Sequence, residues 1–439
     1  MKSLKTNIFF KISMIFLIGL VLLIPANMIR GLIREREYNQ KTTIKEVGSK
    51  WGKEQTISGP YVTIPYYRSV KQTTQGDTTA RTTRVKEYMH FLPTALNING
   101  TIFPERRYRG IYEIVVYNSK LNISGMFDNI KFANSDIPKE DILFNEAFIS
   151  IGISDLRGIQ KQIYFDWNNN KSLFNPGTVT NDNIESGINA PIEIVNNDSL
   201  DYNFSFDLVL KGSQLLYFTP VGKVTDVNIS SSWNNPSFNG AFLPDSRSIT
   251  KSGFKANWNV LHLNRNFPQK WVGGSYNTSS SVFGIDLLLP VDNYQKSTRS
   301  IKYAVLFIFF TFLVFFFVEI LNKVFIHPVQ YLLVGLALIV FYTLLLSISE
   351  HLNFNLAFLF SALATLLLIS GYVKAILKSN KLTGFIGGIL LILYGFIFII
   401  IQLQDLALLI GSIGIFLVLC LVMYFSRKID WYNLKMDDK

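Results

Sequence analysis

The sequence predicts an α-helical membrane protein with a large β-rich, sandwich-like extracytoplasmic domain between its first transmembrane helix and a C-terminal bundle of five more. Two observations predict this class. Of the 439 residues, 49% are hydrophobic, and the excess is concentrated in six long apolar stretches. The long segment between the first two stretches has instead short runs in which polar and apolar residues alternate, as they do in strands with one buried face.

Each of the six stretches is long enough to cross a bilayer, whose ~30 Å hydrocarbon core needs ~20 apolar residues in a helix. Five contain no charged residue, and the second contains only Glu319. A backbone in lipid must satisfy its own hydrogen bonds, so these stretches are predicted to be helices. They are Ile12–Ile29, Tyr303–Leu321, Tyr331–Ile348, Phe354–Val373, Leu382–Leu403 and Leu406–Phe425.

The first stretch could be a cleavable signal peptide or an uncleaved anchor, because basic residues precede it. It is long for a signal peptide, and the residues after Pro25 lack a small-residue cleavage pattern, which favours the anchor.

Lys and Arg are distributed asymmetrically among the short connecting segments. If the N-terminus is cytoplasmic, the short loops at Glu350–Asn353 and Gln404–Asp405 lie outside and contain no Lys or Arg. Positive charge marks cytoplasmic loops, so both termini are predicted to be cytoplasmic. We expect an anchor at 1–29, a periplasmic β-rich domain at 30–300, a five-helix bundle at 301–428 and a cytoplasmic tail at 429–439. The basic residues of the inside segments are Lys2, Lys5, Lys11, Lys323, Lys374, Lys378, Lys381, Arg427, Lys428, Lys435 and Lys439.

The formal charge of +11 reflects this topology and not a nucleic-acid partner, which would need a clustered basic face. Residues 30–300 contain 30 Lys and Arg against 25 Asp and Glu. Cys420 is the single cysteine and lies in the last apolar stretch. The β-rich domain must therefore be stabilised by its own core, without a disulfide.

Short strands separated by turns predict one or two β-sandwich units in this domain. Asp201–Leu210 alternates polar and apolar residues most clearly. Lys71–Arg84, rich in Thr and Gln, reads as an exposed hairpin tip, and Pro138–Asn145 as the best internal helix.

No catalytic, cofactor-binding or metal-binding pattern is convincing. The four histidines and one cysteine have no metal-ligand spacing, and no phosphate-binding loop or nucleophile elbow occurs. Ser252 and Lys255 fit S-x-x-K, but the motif precedes a strand-like run, Phe254–Leu263, whereas in penicillin-binding enzymes it begins a helix.

The predicted bundle contains one candidate polar pocket. Thr343, Ser347, Glu350 and His351 lie three to four residues apart and so share one helix face. Such a stripe normally faces other helices or a wet cavity, where Glu350 and His351 could bind a ligand or a proton. The alternative is that both residues cap helix ends at the membrane interface.

Three further features of the spans have simpler interpretations. Glu319 is expected at the cytoplasmic interface, loosely paired with Lys323 at i+4. Gly384 and Gly388 have the G-x-x-x-G spacing that permits close helix contact. Asp405 is expected in a short turn between the last two helices.

Several segments in the same order resemble the CreD family of bacterial inner-membrane proteins. The resemblance implies an inner-membrane location and a role in cell-envelope integrity and in the response to envelope-active agents such as β-lactams. It implies no catalytic residues. The segments are 327–338, 341–351, 151–158, 231–240, Phe242-Leu243-Pro244, 290–294 and Ile429-Asp430-Trp431-Tyr432.

The leading hypothesis is therefore a non-enzymatic envelope protein, in the lipid bilayer, whose β-rich domain binds an envelope component, a membrane-protein partner or a ligand. The alternative is a transporter or permease component with a polar pocket in the bundle, although no inverted repeat is evident. A membrane-bound hydrolase would rest only on Ser252 and Lys255.

Overall fold

The computed structural model describes residues 8–72, 81–128, 130, 137–195, 200–289, 293–403, 406–427 and 429. The chain forms two compact units. One, the helical unit, combines Met1–Lys41 with Val291–Lys439. The other, Thr42–Pro290, is called the β domain below.

Six of the described helices are long and apolar enough to cross a membrane, as the sequence predicts. The additional helix, α2, is a short amphipathic segment directly before α3. The helices are α1 Ile8–Trp51, α2 Asn293–Lys302, α3 Ala304–Leu321, α4 Pro328–Ser349, α5 Phe354–Leu377, α6 Asn380–Gln402 and α7 Ala407–Ser426.

Side-chain caps fix where the membrane helices begin. The Oδ1 atom of Asn353 accepts a hydrogen bond from the backbone N–H of Leu356 at 3.0 Å at the start of α5. Ser379 does the same for α6, with its Oγ accepting from Leu382 at 3.4 Å. Helix α4 has Pro328 at its first position, where a missing N–H costs nothing. These caps satisfy free N–H groups and permit the short loops between spans.

The β domain contains 17 described strands. They are β1 Gln55–Gln72, β2 Arg81–Phe91, β3 Ala95–Arg109, β4 Tyr112–Phe127, β5 Phe148–Ile153, β6 Tyr164–Trp167, β7 Asn170–Leu173, β8 Asn175–Pro176, β9 Gly187–Pro191, β10 Tyr202–Ser213, β11 Leu215–Phe218, β12 Val224–Ser231, β13 Pro236–Gly240, β14 Ser246–Thr250, β15 Gly253–Leu261, β16 Lys270–Val272 and β17 Phe283–Leu287.

The described strands form two mixed sheets. The first has nine strands in the order β13-β17-β11-β1-β5-β9-β8, and β2 pairs both with β1 and with β16. The second has eight strands in the order β14-β15-β12-β3-β4-β10-β6-β7. Each sheet contains one parallel pair, β1 with β11 and β12 with β3, and its other pairs are antiparallel.

One hydrophobic core joins the inner faces of the two sheets. The indole of Trp258, fully buried on β15, lies 5.6 Å from the ring of Phe283 on β17 and 5.7 Å from that of Phe238 on β13. Fully burying one such apolar side chain contributes about 1.5–3 kcal/mol. The predicted sandwich-like architecture is confirmed.

Two local predictions have different outcomes. Strand β10 alternates buried and exposed residues as predicted for Asp201–Leu210. The helix predicted at Pro138–Asn145 is wrong, because the segment forms two 3-10 turns, Lys139–Asp141 and Phe144–Glu146. Between them the N–H of Leu143 bonds to the carbonyl of Pro65 on β1 at 3.0 Å, and this tertiary bond prevents a continuous helix.

The predicted hairpin at Lys71–Arg84 has antiparallel arms, since β1 pairs with β2 from Val62 to Gln72. Residues 73–80 within this predicted tip lie outside the described residues, as does Asp405.

His90 is a buried titratable residue in the core of the β domain. Its side chain is 1% exposed, with Nδ1 2.9 Å from Thr63 Oγ1 and Nε2 3.0 Å from Asp182 Oδ2. Burial lowers the pKa of His90 below its ordinary value and outweighs the opposing effect of the Asp182 carboxylate. The folded protein therefore holds this imidazole neutral at pH 7.

We predict that His90 makes the β domain less stable as the pH falls below ~6.5, the ordinary pKa of histidine. The unfolded chain then binds a proton that the folded chain resists, so unfolding is favoured. Thermal unfolding should be followed by tryptophan fluorescence at pH 7 and pH 5. The unfolding temperature should fall less between these pH values in His90→Gln than in the unaltered protein. Equal losses in both proteins would contradict the prediction.

Candidate functional site

The predicted polar stripe of α4 is divided in the structure. Thr343, Ser347 and His351 are exposed on the helical unit, whereas Glu350 contacts other helices. Its Oε1 lies 3.6 Å from Arg36 Nε of α1 and accepts a 3.4 Å hydrogen bond from the hydroxyl of Tyr294 of α2. Glu350 thus joins three helices, and a functional role for the four residues together stays a prediction.

Further polar contacts lie at the same ends of the helices. Asn293 Nδ2 donates to the carbonyl of Ser349 at 2.8 Å. Lys296 Nζ donates to Gln402 Oε1 at 3.0 Å, and Gln402 Nε2 donates to Asn355 Oδ1 at 2.5 Å. These contacts fasten α2 to the ends of α4, α5 and α6. They satisfy the polar groups where the bundle leaves the apolar region.

The predicted pairing of Glu319 with Lys323 is wrong. The side chain is fully buried and forms an ion pair with Lys11 of α1. Its Oε1 also accepts from the backbone N–H of Ile326 at 3.0 Å, and its Oε2 from the hydroxyl of Tyr331 at 2.8 Å. The loop after α3 folds back over the end of the helix and brings these donors to the carboxylate.

This arrangement meets the demands of a carboxylate in an apolar environment. A buried charge is tolerated where it is paired and its remaining lone pairs are bonded. Three donors from α1, α4 and the α3–α4 loop do so for Glu319. The sequence held a usable signal: Glu319 is the single charge within a span, and Lys11 precedes another span at the same predicted membrane side.

Close helix contact occurs at a glycine other than the predicted pair. A Cβ atom on Gly335 of α4 would lie 2.2 Å from Leu22 Cδ1 of α1 and 2.9 Å from Phe312 Cζ of α3. By contrast, no atom of another described residue lies within 4 Å of a Cβ built on Gly384 or Gly388. Gly335 therefore permits Leu22 of α1 and Phe312 of α3 to approach α4 closely.

The second sheet of the β domain carries a row of polar side chains across five strands. Asn257 on β15, Asn228 on β12, Asn99 on β3, Asn122 on β4 and Asp207 on β10 are paired in register. Asn257 Nδ2 donates to Asn228 Oδ1 at 2.7 Å, and Asn228 Nδ2 to Asn99 Oδ1 at 3.2 Å. Asn122 Nδ2 donates to Asp207 Oδ1 at 2.8 Å. We call these five residues the polar row.

The polar row forms the floor of a groove of ≈ 930 Å³ on the side of the sheet opposite the core. Strand alternation explains its position: Ile98, Leu121 and Ile229 are buried beside row residues and point into the sandwich. The groove is lined by hydroxyl side chains of β3, β12 and β14 and by three lysines, Lys120, Lys161 and Lys255. Arg247 of β14 projects to the opposite side of the sheet, where its guanidinium lies 5.9 Å from the ring centre of Phe238.

The S-x-x-K motif lies on strand β15 and the turn before it, not on a helix. Ser252 is exposed in the turn after β14, and its Oγ lies 2.9 Å from Thr250 Oγ1. Lys255 projects from β15 into the groove. The predicted strand is confirmed. Among the described residues, no group of three or more His, Cys, Asp or Glu could hold a metal ion.

We predict that Glu319→Leu destabilises the helical unit by about 3–5 kcal/mol, because Lys11 is then left buried without its partner. The double variant Lys11→Met/Glu319→Leu should be less harmful than either change alone, since no charge stays unpaired. Protein abundance in membranes and thermal stability in detergent measure both effects. Lys323→Met is the matched control and should change little. A double variant as unstable as the sum of the single variants would contradict the proposed ion pair.

Comparisons with known proteins agree with this architecture. The family profile described as "Inner membrane protein CreD" matches residues 7–432. The chain is 31% identical over 436 residues to the inner membrane protein CreD of Escherichia coli (strain K12), covering 99% of this chain and 96% of that protein. A solved structure, the M1 zinc metallopeptidase from Deinococcus radiodurans, covers 44% of this chain and 42% of its own at 7% identity; its TM-score of 0.21 carries no argument. The chain belongs to the CreD family of inner membrane proteins.

Proposed function

We propose that this protein supports the integrity of the cell envelope under stress as a non-enzymatic inner-membrane protein whose β domain binds an envelope component. The observation that carries the proposal is the groove above the polar row. Amide and hydroxyl side chains form its floor, and among the described residues no hydrogen bond joins a floor hydroxyl to a basic side chain, which suits recognition and not bond cleavage.

Membrane orientation links the groove to the envelope. The absence of Lys and Arg from the two predicted outside loops supports a periplasmic β domain and cytoplasmic termini. The buried Lys11–Glu319 pair supports a first span that stays in the membrane, because its loss would leave Glu319 uncompensated. In this arrangement the six helices hold the β domain at the outer surface of the inner membrane.

A transporter component is the second candidate function, and one observation favours it. The hydroxyl oxygens of Tyr342 on α4 and Ser361 on α5 are buried without a hydrogen-bond partner among the described residues. Polar groups in an apolar environment normally find a partner, so water or a polar solute would satisfy them. The ion pairs at the bundle ends, however, fasten the helices together and leave the envelope-binding role better supported.

Topology can be tested directly. A reporter enzyme that is active only outside the cytoplasm should be active when fused after Leu200 and inactive when fused at Lys378. The physical reason is that the loops on the predicted cytoplasmic side contain Lys and Arg, whereas the two short loops on the predicted outer side contain none. Activity at Lys378 would contradict the six-span orientation.

The binding role can be tested in cells that depend on this protein for tolerance of cell-wall-active agents. Asn99→Ala/Asn228→Ala should remove that tolerance at normal protein abundance, because both amides lie in the groove floor. Asn170→Ala, which alters an exposed amide of β7 outside the groove, is the matched control. Ser252→Ala should also leave tolerance unchanged. Loss of tolerance in Ser252→Ala would favour a hydrolase. Full tolerance in Asn99→Ala/Asn228→Ala would contradict the proposal.

A further inference from the structure

We infer that the groove of the β domain binds an anionic glycan, a sugar polymer that carries carboxylate or phosphate groups. The inference rests on the proposed periplasmic, envelope-binding role and adds the class of ligand and the residues that recognise it.

The floor of the groove offers unused hydrogen-bonding capacity in a regular array. An Asn side chain has two N–H donors and a carbonyl oxygen with two lone pairs. The polar row connects its members by single hydrogen bonds, Asn257 to Asn228, Asn228 to Asn99 and Asn122 to Asp207. Each amide therefore retains donors or acceptors for a ligand. Neighbouring amides repeat at the strand spacing of ~4.8 Å, which suits the closely spaced hydroxyl groups of successive sugar rings.

The charges around the floor select an anion. Lys120, Lys161 and Lys255 line the groove, against the single carboxylate of Asp207 among the described lining residues. That carboxylate already accepts a hydrogen bond from Asn122 at 2.8 Å. Carboxylate and phosphate groups form their stronger hydrogen bonds with such cationic donors. A neutral polymer would leave these three positive charges without counter-charges.

The shape of the groove favours an extended polymer over a small molecule or an acidic peptide. Its lining extends from β14 to β10, six adjacent strands, or about 24 Å at the usual strand spacing. A peptide partner is normally anchored by large apolar side chains in buried pockets. The floor here is built of amides and hydroxyls, including Thr101 and Ser230, whose oxygens lie 3.2 Å apart.

One aromatic side chain adds an apolar surface on the same face. Phe103 is 45% exposed, and strand alternation places it beside Thr101, because Ile102 between them is buried in the core. The Nζ atom of Lys120 lies 5.7 Å from the centre of the Phe103 ring. A sugar ring stacked on Phe103 would thus bring its acidic substituent within reach of Lys120.

The experiment measures binding of fluorescent oligosaccharides to the full-length protein in detergent micelles, at low and high salt. The probes are a peptidoglycan strand that carries lactyl carboxylates, a chito-oligosaccharide of equal length without them, a phosphorylated glycan and a poly-glutamate peptide. We expect the peptidoglycan strand, the phosphorylated glycan or both to bind, with lower affinity at high salt than at low salt. The neutral chito-oligosaccharide should bind at least about tenfold more weakly than the charged glycan. The two charged glycans distinguish a carboxylate from a phosphate source.

Lys120→Gln/Lys255→Gln should weaken binding of the charged glycan about tenfold, whereas Lys120→Arg/Lys255→Arg should retain it. Lys251→Gln, an exposed lysine in the β14–β15 turn outside the groove, should change nothing. Equal binding of neutral and charged glycans, preference for poly-glutamate, or no effect of the charge removal would overturn the inference. So would the absence of binding by every probe. Binding of the neutral oligomer would contradict the ligand class but would be compatible with the proposed envelope role. The tolerance assay of Asn99→Ala/Asn228→Ala tests that role separately.

Discussion

The carboxylate of Glu319 imposes the strictest physical constraint on the helical unit. A charge in an apolar environment must be paired and fully hydrogen-bonded, and these requirements bring α1, α4 and the loop after α3 to one point. Gly335 removes the side chain that would otherwise separate α1 from α4. The first span is thus a structural member of the bundle. Its attachment depends on one specific ion pair and one small residue, in addition to apolar packing.

Helix α1 does not end where its apolar stretch ends. It continues to Trp51, whose ring lies within the β domain, 3.7 Å from the guanidinium of Arg107 and 4.2 Å from Lys211 Nζ. In the same region Arg109 forms an ion pair with Glu46 at 2.7 Å. Contacts between a cation and an indole face stabilise by about 0.5–2 kcal/mol each. The last turns of α1, which belong to the β domain, are therefore packed against strands β3, β4 and β10.

Strand alternation makes the two faces of the second sheet different. On one face, residues such as Leu121, Leu208 and Ile229 complete the core that joins both sheets. On the other face, the residues between them form the polar row and the groove. A one-residue shift of register would exchange the two faces, so the pairing that stabilises the sandwich also fixes the alignment of the amides. The stability of the sandwich and the geometry of the groove are consequently coupled in β3, β4 and β12.

The sequence by itself determined the six spans and the β-rich class of the intervening domain, because hydropathy and strand alternation are local properties. It also indicated the family, through the resemblance of several ordered segments. It also indicated β10 and β15 correctly. It could not determine that Lys11 and Glu319 meet, since they are 308 positions apart, or that Gly335 and not Gly384 contacts a neighbouring helix. Nor could it align Asn99, Asn122, Asn228 and Asn257. Only the tertiary structure decided these, because strand order and register depend on contacts between distant segments. The segment at Pro138–Asn145 shows the same limit: its local pattern favours a helix, but the hydrogen bond from Leu143 to Pro65 holds it against β1.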